Sequence, residues 1–203
     1  MRIVRSVHIL PDGVWLDGAP LTVPGRGAAL LTALYHEIMG DYPKFFKMDI
    51  LSKLGVLAAE LLVRGESGRF EPREDRAVLL FSRSGPLCDD RNYQKTISGD
   101  DYFPSPALFV YTLANIVTGE IAIRNKYAGD TTAFCLPDFA PEQIVAAVRT
   151  AFDDRITASA VCGWAEAPDP DHFEAVLALV DRSDGPGVAF TTDHFLQIKM
   201  NQR

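Results

Sequence analysis

The spacing of apolar and polar positions changes several times along the chain, and each change marks a predicted element. Arg2–Leu10 alternates roughly apolar with polar, and Pro11-Asp12-Gly13 supplies turn chemistry before Val14-Trp15-Leu16, which predicts a β-hairpin. From Ala28 to Met39 the apolar residues Leu30, Leu31, Leu34 and Ile38 recur at helical spacing, and Gly40 is a natural stop. A second helix is predicted from about Met48 to Val63, ended by the polar, glycine-rich stretch Arg64–Asp75. Arg76–Phe81 is a short apolar run of the kind expected for a buried strand. Ser82–Phe103, which contains Asp89-Asp90-Arg91 and Gly99-Asp100-Asp101, is predicted to be a long polar connection. Loops beyond about 15 residues are commonly functional or interfacial.

Pro106–Tyr127 predicts one helix, with Ser105 as cap and Pro106 in the first turn, where a missing N–H costs nothing. Its apolar residues cover nearly every face, so it is expected between layers of the core. Thr131–Leu136 reads as a strand, Pro141–Phe152 as a helix and Ile156–Trp164 as a strand of small residues. Phe173–Val180 and Val188–Lys199 read as two further strands around the Ser183–Gly187 turn. This strand–helix alternation predicts a single α/β domain over residues 1–203, with helices covering a mixed sheet.

Composition narrows the function classes. Of the 203 residues 47% are hydrophobic, enough for a core without disulfides or metals, and the net charge of −7 argues against broad binding to nucleic acid or an acidic membrane. The aromatic and lysine run Asp41–Lys47 is therefore expected to be a packed loop and not a single-strand nucleic-acid platform. The cysteines Cys88, Cys135 and Cys162 form neither a disulfide framework nor a zinc signature, which fits a reducing cytoplasm. No secretory leader and no membrane span of about 20 apolar residues is legible, so no membrane insertion is expected. No cofactor or metal motif appears: there is no GxGxxG opening a helix and no HExxH pair.

Three strings, in order, resemble the β-ketoacyl-ACP synthases, the thiolase-type condensing enzymes. Lys47-Met48-Asp49 before ILSKLGVLAAE is similar to that family's KMD-then-helix segment. Phe103-Pro104-Ser105-Pro106 leading into FVYTLANIVTGEIAIRNKYAG is similar to its SPFFVPSTIVNMVAGHLTI segment, with Asn115, Gly119 and Gly129 in register. ITASAVCGWAEA resembles its DVMVAGGAE strand. The likeness covers most of Phe45–Ala167, and YPKFFKMD and the strings that follow also resemble short ketosynthase-like proteins of polyene and pigment clusters. The resemblance implies the N-terminal half of the thiolase-like fold: a mixed five-stranded sheet with a buried central helix and covering helices.

A condensing enzyme carries the acyl group on a cysteine at a helix N-terminus, assisted by two basic groups and an oxyanion hole. In the family pattern GPSISIATAC the cysteine comes nine places after the glycine, and the same count from Gly129 reaches Asp138. Asp138 reads either as a cap of the following helix or as a charged, non-nucleophilic stand-in for the thiol. Cys135, on the predicted strand, reads as a small buried hydrophobe, or as the nucleophile if the loop LPDFAP shifts the register. Cys88 and Cys162 have weaker claims. His8, His36, His172 and His194 match neither histidine motif of the family, and each is expected to be a surface or capped residue.

These observations predict a catalytically silent, chain-length-factor-like subunit. It would associate with itself, with an active ketosynthase or with an acyl carrier protein. The alternatives are a synthase active through Cys135 with its second half on another chain, and an acyl-chain binding protein. In the family the strand before the nucleophile pairs across the dimer two-fold, which makes Thr131, Thr132, Ala133, Phe134 and Cys135 the expected interface. A half-fold is also expected to leave the face of its missing partner apolar and exposed.

Overall fold

The computed structural model describes residues 1–97 and 102–200. Their strands form one mixed sheet. β1 (Arg2–Leu10), β2 (Gly13–Leu16) and β3 (Ala19–Leu21) run as an antiparallel meander, the expected hairpin extended by one strand. β4 (Arg76–Ser82) pairs in parallel with both β5 (Thr131–Cys135) and β6 (Ser159–Asp169), and β6 turns back into antiparallel β7 (His172–Asp181), which joins β1. The order is β3-β2-β1-β7-β6-β4-β5, with two-residue β8 (Val188–Ala189) beside β1. The five long central strands β5-β4-β6-β7-β1 are the mixed sheet the resemblance implies. β2, β3 and β8 bring the described sheet to eight strands.

Alternation along each strand divides the core in two. Val78, Leu80, Val161, Ala165, Leu177 and Leu179 face one layer; Ala77, Leu79, Phe81, Cys162, Trp164 and Val180 face the other. In β1 the register slips between Ile3 and Arg5, so Ile3 faces the second layer while Val7 and Ile9 face the first. One extra residue flips every side chain after it.

The first layer is built by α1 (Ala28–Ile38), α2 (Ile50–Val63) and α5 (Ile116–Asn125). The buried central helix of this fold is α2, in which every residue except Lys53 is buried. Asp49 caps it, its carboxylate accepting from Leu51 N (3.0 Å) and Ser52 N (3.1 Å). The Lys47-Met48-Asp49 string is therefore, physically, a helix start. Gly55 lets α5 close in, since a Cβ there would strike Val117. Glu60 is buried in α2 but paired with Arg69 (2.5 Å) and Arg124 (2.8 Å). Burial pushes its carboxyl up, and the hydrogen bonds and charges of the two guanidinium groups outweigh that, leaving it below the usual range.

Three expectations are corrected. The polar connection Ser82–Phe103 contains a helix, α3 (Leu87–Thr96), whose acidic first turn (Asp89, Asp90) and basic end (Lys95) suit the helix dipole although apolar spacing is lacking. Its Gly99-Asp100-Asp101 string lies within 98–101, outside the described residues. Pro106–Tyr127 is not one buried helix. It breaks at Thr112–Asn115 into α4 (Pro106–Tyr111) and α5, because Thr112 Oγ1 and Thr118 Oγ1 turn back onto the carbonyls of Phe109 (2.7 Å) and Asn115 (2.9 Å). Val188–Lys199 is mostly α7 (Thr192–Met200), which drives Phe195 into the second core layer beside Phe190.

The second face of the sheet is covered by α6 (Pro141–Ala151) and α7, and α6 turns Glu142, Gln143, Arg149 and Thr150 to solvent. Exposed apolar side chains remain on α7 (Leu196, Met200) and are densest on and around α4.

Candidate association surface

β5 ends the sheet. Its one ladder is to β4, from Val78↔Thr131 to Ser82↔Cys135, and among the described residues its other edge carries no strand. Edge strands are usually blunted by charge, proline or a bulge. Thr131-Thr132-Ala133-Phe134-Cys135 has neither charge nor proline, and its ladder runs without a register shift. Phe134 anchors the strand by stacking on Phe81 (centroids 4.6 Å apart, 8° between planes), and Thr132 Oγ1 donates to Asp130 Oδ1 (2.8 Å).

The densest run of exposed apolar side chains along the described chain follows residue 101. Tyr102 and Phe103 are 65% and 78% exposed, and Phe109, Val110 and Leu113 follow on and after α4. Tyr111 is the one residue of α4 that is buried, and its hydroxyl donates to the buried Glu120 of α5 (3.0 Å), which also holds Lys44 (2.8 Å). Burial first, then the Glu120 charge, pushes the Tyr111 phenol far up, so it stays a donor at any ordinary pH. Ala114, after α4, and Cys135, at the end of β5, line one crevice with Leu51, Val117 and Ala165. That crevice measures about 10 Å³, room for roughly one water and no acyl chain.

The two residues proposed for the acyl site do not share a cavity. Cys135 is exposed, not buried, at the strand end. α6 begins at Pro141, so Cys135 is not at a helix N-terminus and lacks that source of thiolate stabilisation. Asp138 lies exposed in the intervening bend and does not cap α6, whose cap position is Ala140 without a side-chain bond. Asp138 opens onto a separate groove of about 260 Å³ beside Arg83, Glu166, His172 and Lys199, over Trp164 and Phe139.

The other candidates are occupied structurally. Cys162 is fully buried in β6, and burial pushes its thiol far up; Cys88 is half-buried, and its thiol is raised by burial and by the charges of Asp49, Asp89 and Asp169. His8 is not on the surface: it is 1% exposed and bonded to Glu174 (2.9 Å), which also takes Lys199 (2.6 Å). His172 holds Asp169, His194 holds the Ala189 carbonyl, and His36 packs against Tyr35 and Phe46. In the Asp41–Lys47 run only Phe45 is buried, stacked on Tyr35 at 4.4 Å; Asp41, Pro43, Lys44, Phe46 and Lys47 are exposed, so the expected packed loop holds at one residue. Among the described residues no group of three or more potential ligands is placed to hold a metal, and no helix is long and apolar enough to cross a membrane.

Comparison with known proteins places this geometry. No family profile and no curated protein matches the sequence. Solved structures do. The ishigamide ketosynthase/chain length factor superposes with a TM-score of 0.66 at 16% identity, over 92% of this chain and 63% of that one. The fold is that of the ketosynthases and chain length factors. Two more ketosynthase complexes agree. The ketosynthase ApeO with its chain length factor ApeC from Xenorhabdus doucetiae gives 0.57 at 14% identity, over 98% and 90% of the two chains. The AntDE:AntF complex, a type II polyketide synthase carrier protein with its ketosynthase, gives 0.56 at 12%, over 89% and 62%. The chain thus spans about three-fifths of the length of the first of these ketosynthase-type relatives.

Sequence reasoning found the edge strand but missed α3 and the α4 patch. The signals were present. Asp89-Asp90 with Lys95 marks a helix by charge alone, and Thr112 with Asn115 marks a break that apolar spacing hides.

Proposed function

We propose that this chain is a ketosynthase-like subunit that works by association and does not itself catalyse condensation. It would serve a polyketide- or polyene-type pathway as a partner of a ketosynthase, of a carrier protein or of a second copy of itself. The observation that carries this reading is the open, uncharged β5 edge, together with the exposed apolar side chains on and around α4. A partner strand added to β5 would satisfy its free backbone groups, and the α4 patch would supply apolar area. That the named neighbours include ketosynthases solved with a chain length factor or a carrier protein supports the same choice of partner.

Silence is supported by the acid at position 138 and by the distance of Cys135 from any helix N-terminus. The test is native mass at micromolar concentration, alone and after co-expression with a ketosynthase and a carrier protein. A stable homodimer or heterodimer is expected; a monomer under every pairing refutes the reading. The exposure of Cys135 beside the crevice favours one rival, a synthase completed by another chain. Treatment with a thiol-directed ketosynthase inhibitor or an acyl-CoA separates the two. A stoichiometric acyl adduct on Cys135 supports the rival, and none is expected.

A further inference from the structure

α3 and α4 are each held by a single buried residue, and in both cases that residue is polar: Asp89 in α3 and Tyr111 in α4. Tyr111 has a partner in Glu120, whereas Asp89 has none. Asp89 is 5% exposed, and its buried Oδ2 makes no hydrogen bond. It also feels the charge of a second buried carboxylate, Asp49, which is 8% exposed and committed to the N–H groups at the head of α2.

The remaining charges around Asp89 do not neutralise it. Asp90 follows it on the same helix and adds repulsion. Arg91 points away, to the Pro168 carbonyl (3.4 Å). On β6, Glu166 accepts from Arg83 N (2.7 Å) and Ser84 N (3.1 Å), and Asp169 is taken by His172. α4 offers no charged side chain at all, and Lys53 of α2 is weighted toward Asp49. Among the described residues Asp89 has no salt bridge.

We propose that α3 is a proton-controlled latch: it docks against β6 and α4 when Asp89 is neutral and is released when Asp89 and Asp49 are both ionised. Two like charges in one buried site cannot both be retained without cost. The direction agrees with the surroundings, since burial first, then Asp49 and Asp90, pushes the Asp89 carboxyl up to about 6. An acid raised by docking binds its proton more tightly in the docked state. Docking is therefore favoured in full below the ordinary carboxylate range and weakens as pH rises to about 6. Above that it is weaker by on the order of a hundredfold in the docking constant. Because Tyr93 of α3 packs on Phe109 of α4 (5.5 Å), release of α3 would also loosen the apolar patch. This consequence rests on the association reading; the latch does not.

The test is hydrogen exchange of the α3 amides in the full chain from pH 5 to 8, corrected for intrinsic rate. Protection in the wild type is expected to fall from pH 5 and to level off just above about 6. Asp89→Asn should stay protected throughout, and Asp49→Asn should move the levelling-off to lower pH. Flat wild-type protection, or an unchanged slope in Asp89→Asn, overturns the latch whether or not any partner binds. Should Asp89→Asn fold poorly, carboxyl-carbon NMR of the wild type decides. Asp89 titrating together with the α3 amides near pH 6 supports the latch, and its titration in the ordinary carboxylate range overturns it.

Discussion

α2 and α4 are both strongly apolar, ILSKLGVLAAELLV against PALFVY, yet one is buried along almost its whole length and the other at one tyrosine. Composition alone does not separate them. α2 lies across the middle of the sheet, between α1 and α5, and its own chain covers every face. α4 is a short turn of helix at the rim, held by a polar contact, with Phe109 and Val110 left to water. An apolar helix thus announces that something must cover it, without saying whether that is the same chain or another.

The comparison is broken most severely inside α2. Glu60→Ala leaves Arg69 and Arg124 buried without their anion and is expected to cost about 3–5 kcal/mol of unfolding free energy by denaturant titration. Because the Glu60 carboxyl is held below its ordinary range, its contribution is present above that range and lost as pH falls through the depressed value. The wild type should therefore weaken in acid more steeply than the variant. Leu57→Ala, at a fully buried position, is expected to cost about 2–5 kcal/mol.

The rim should behave in the opposite way. Ala133→Lys places a charge on the open edge strand; unfolding should shift by no more than about 1 kcal/mol, while association, read by native mass or sedimentation, should weaken at least about tenfold. Phe109→Glu should weaken association by a similar factor with little change in stability, since no core contact is lost. Equal loss of stability in these variants and in Leu57→Ala would erase the distinction. A finer probe is Tyr111→Phe, which removes one hydrogen bond to the buried Glu120 and should cost about 1 kcal/mol, accompanied by faster exchange in α4. Gln143→Lys, on the polar outer face of α6, should change neither quantity beyond about 0.5 kcal/mol.

How far the chain could be read in advance depended on how local each signal was. The β1–β2 hairpin, α1, α2, β4 and α6 follow from periodicity, turn residues and caps within a few positions of one another. α3 escaped because its fit to the helix is electrostatic and its packing is slight. α7 escaped because Thr192–Met200 is short and resembles an alternating strand until Phe195 finds Phe190. At the candidate site, the residues of β5 were legible as a strand, but their place at the edge follows from long-range pairing that no window of sequence contains.

By itself the sequence determined the element types where one period dominates and the mixed α/β class. Only the tertiary structure decided which apolar helix is central and that α7 seals the second face. It also put Cys135 and Asp138 on different concavities and brought Asp89 within reach of the charge of Asp49. The reason is physical: helix and strand formation depend on neighbours in the chain, whereas burial, edge position and the charge a carboxyl can hold depend on groups brought close only by folding.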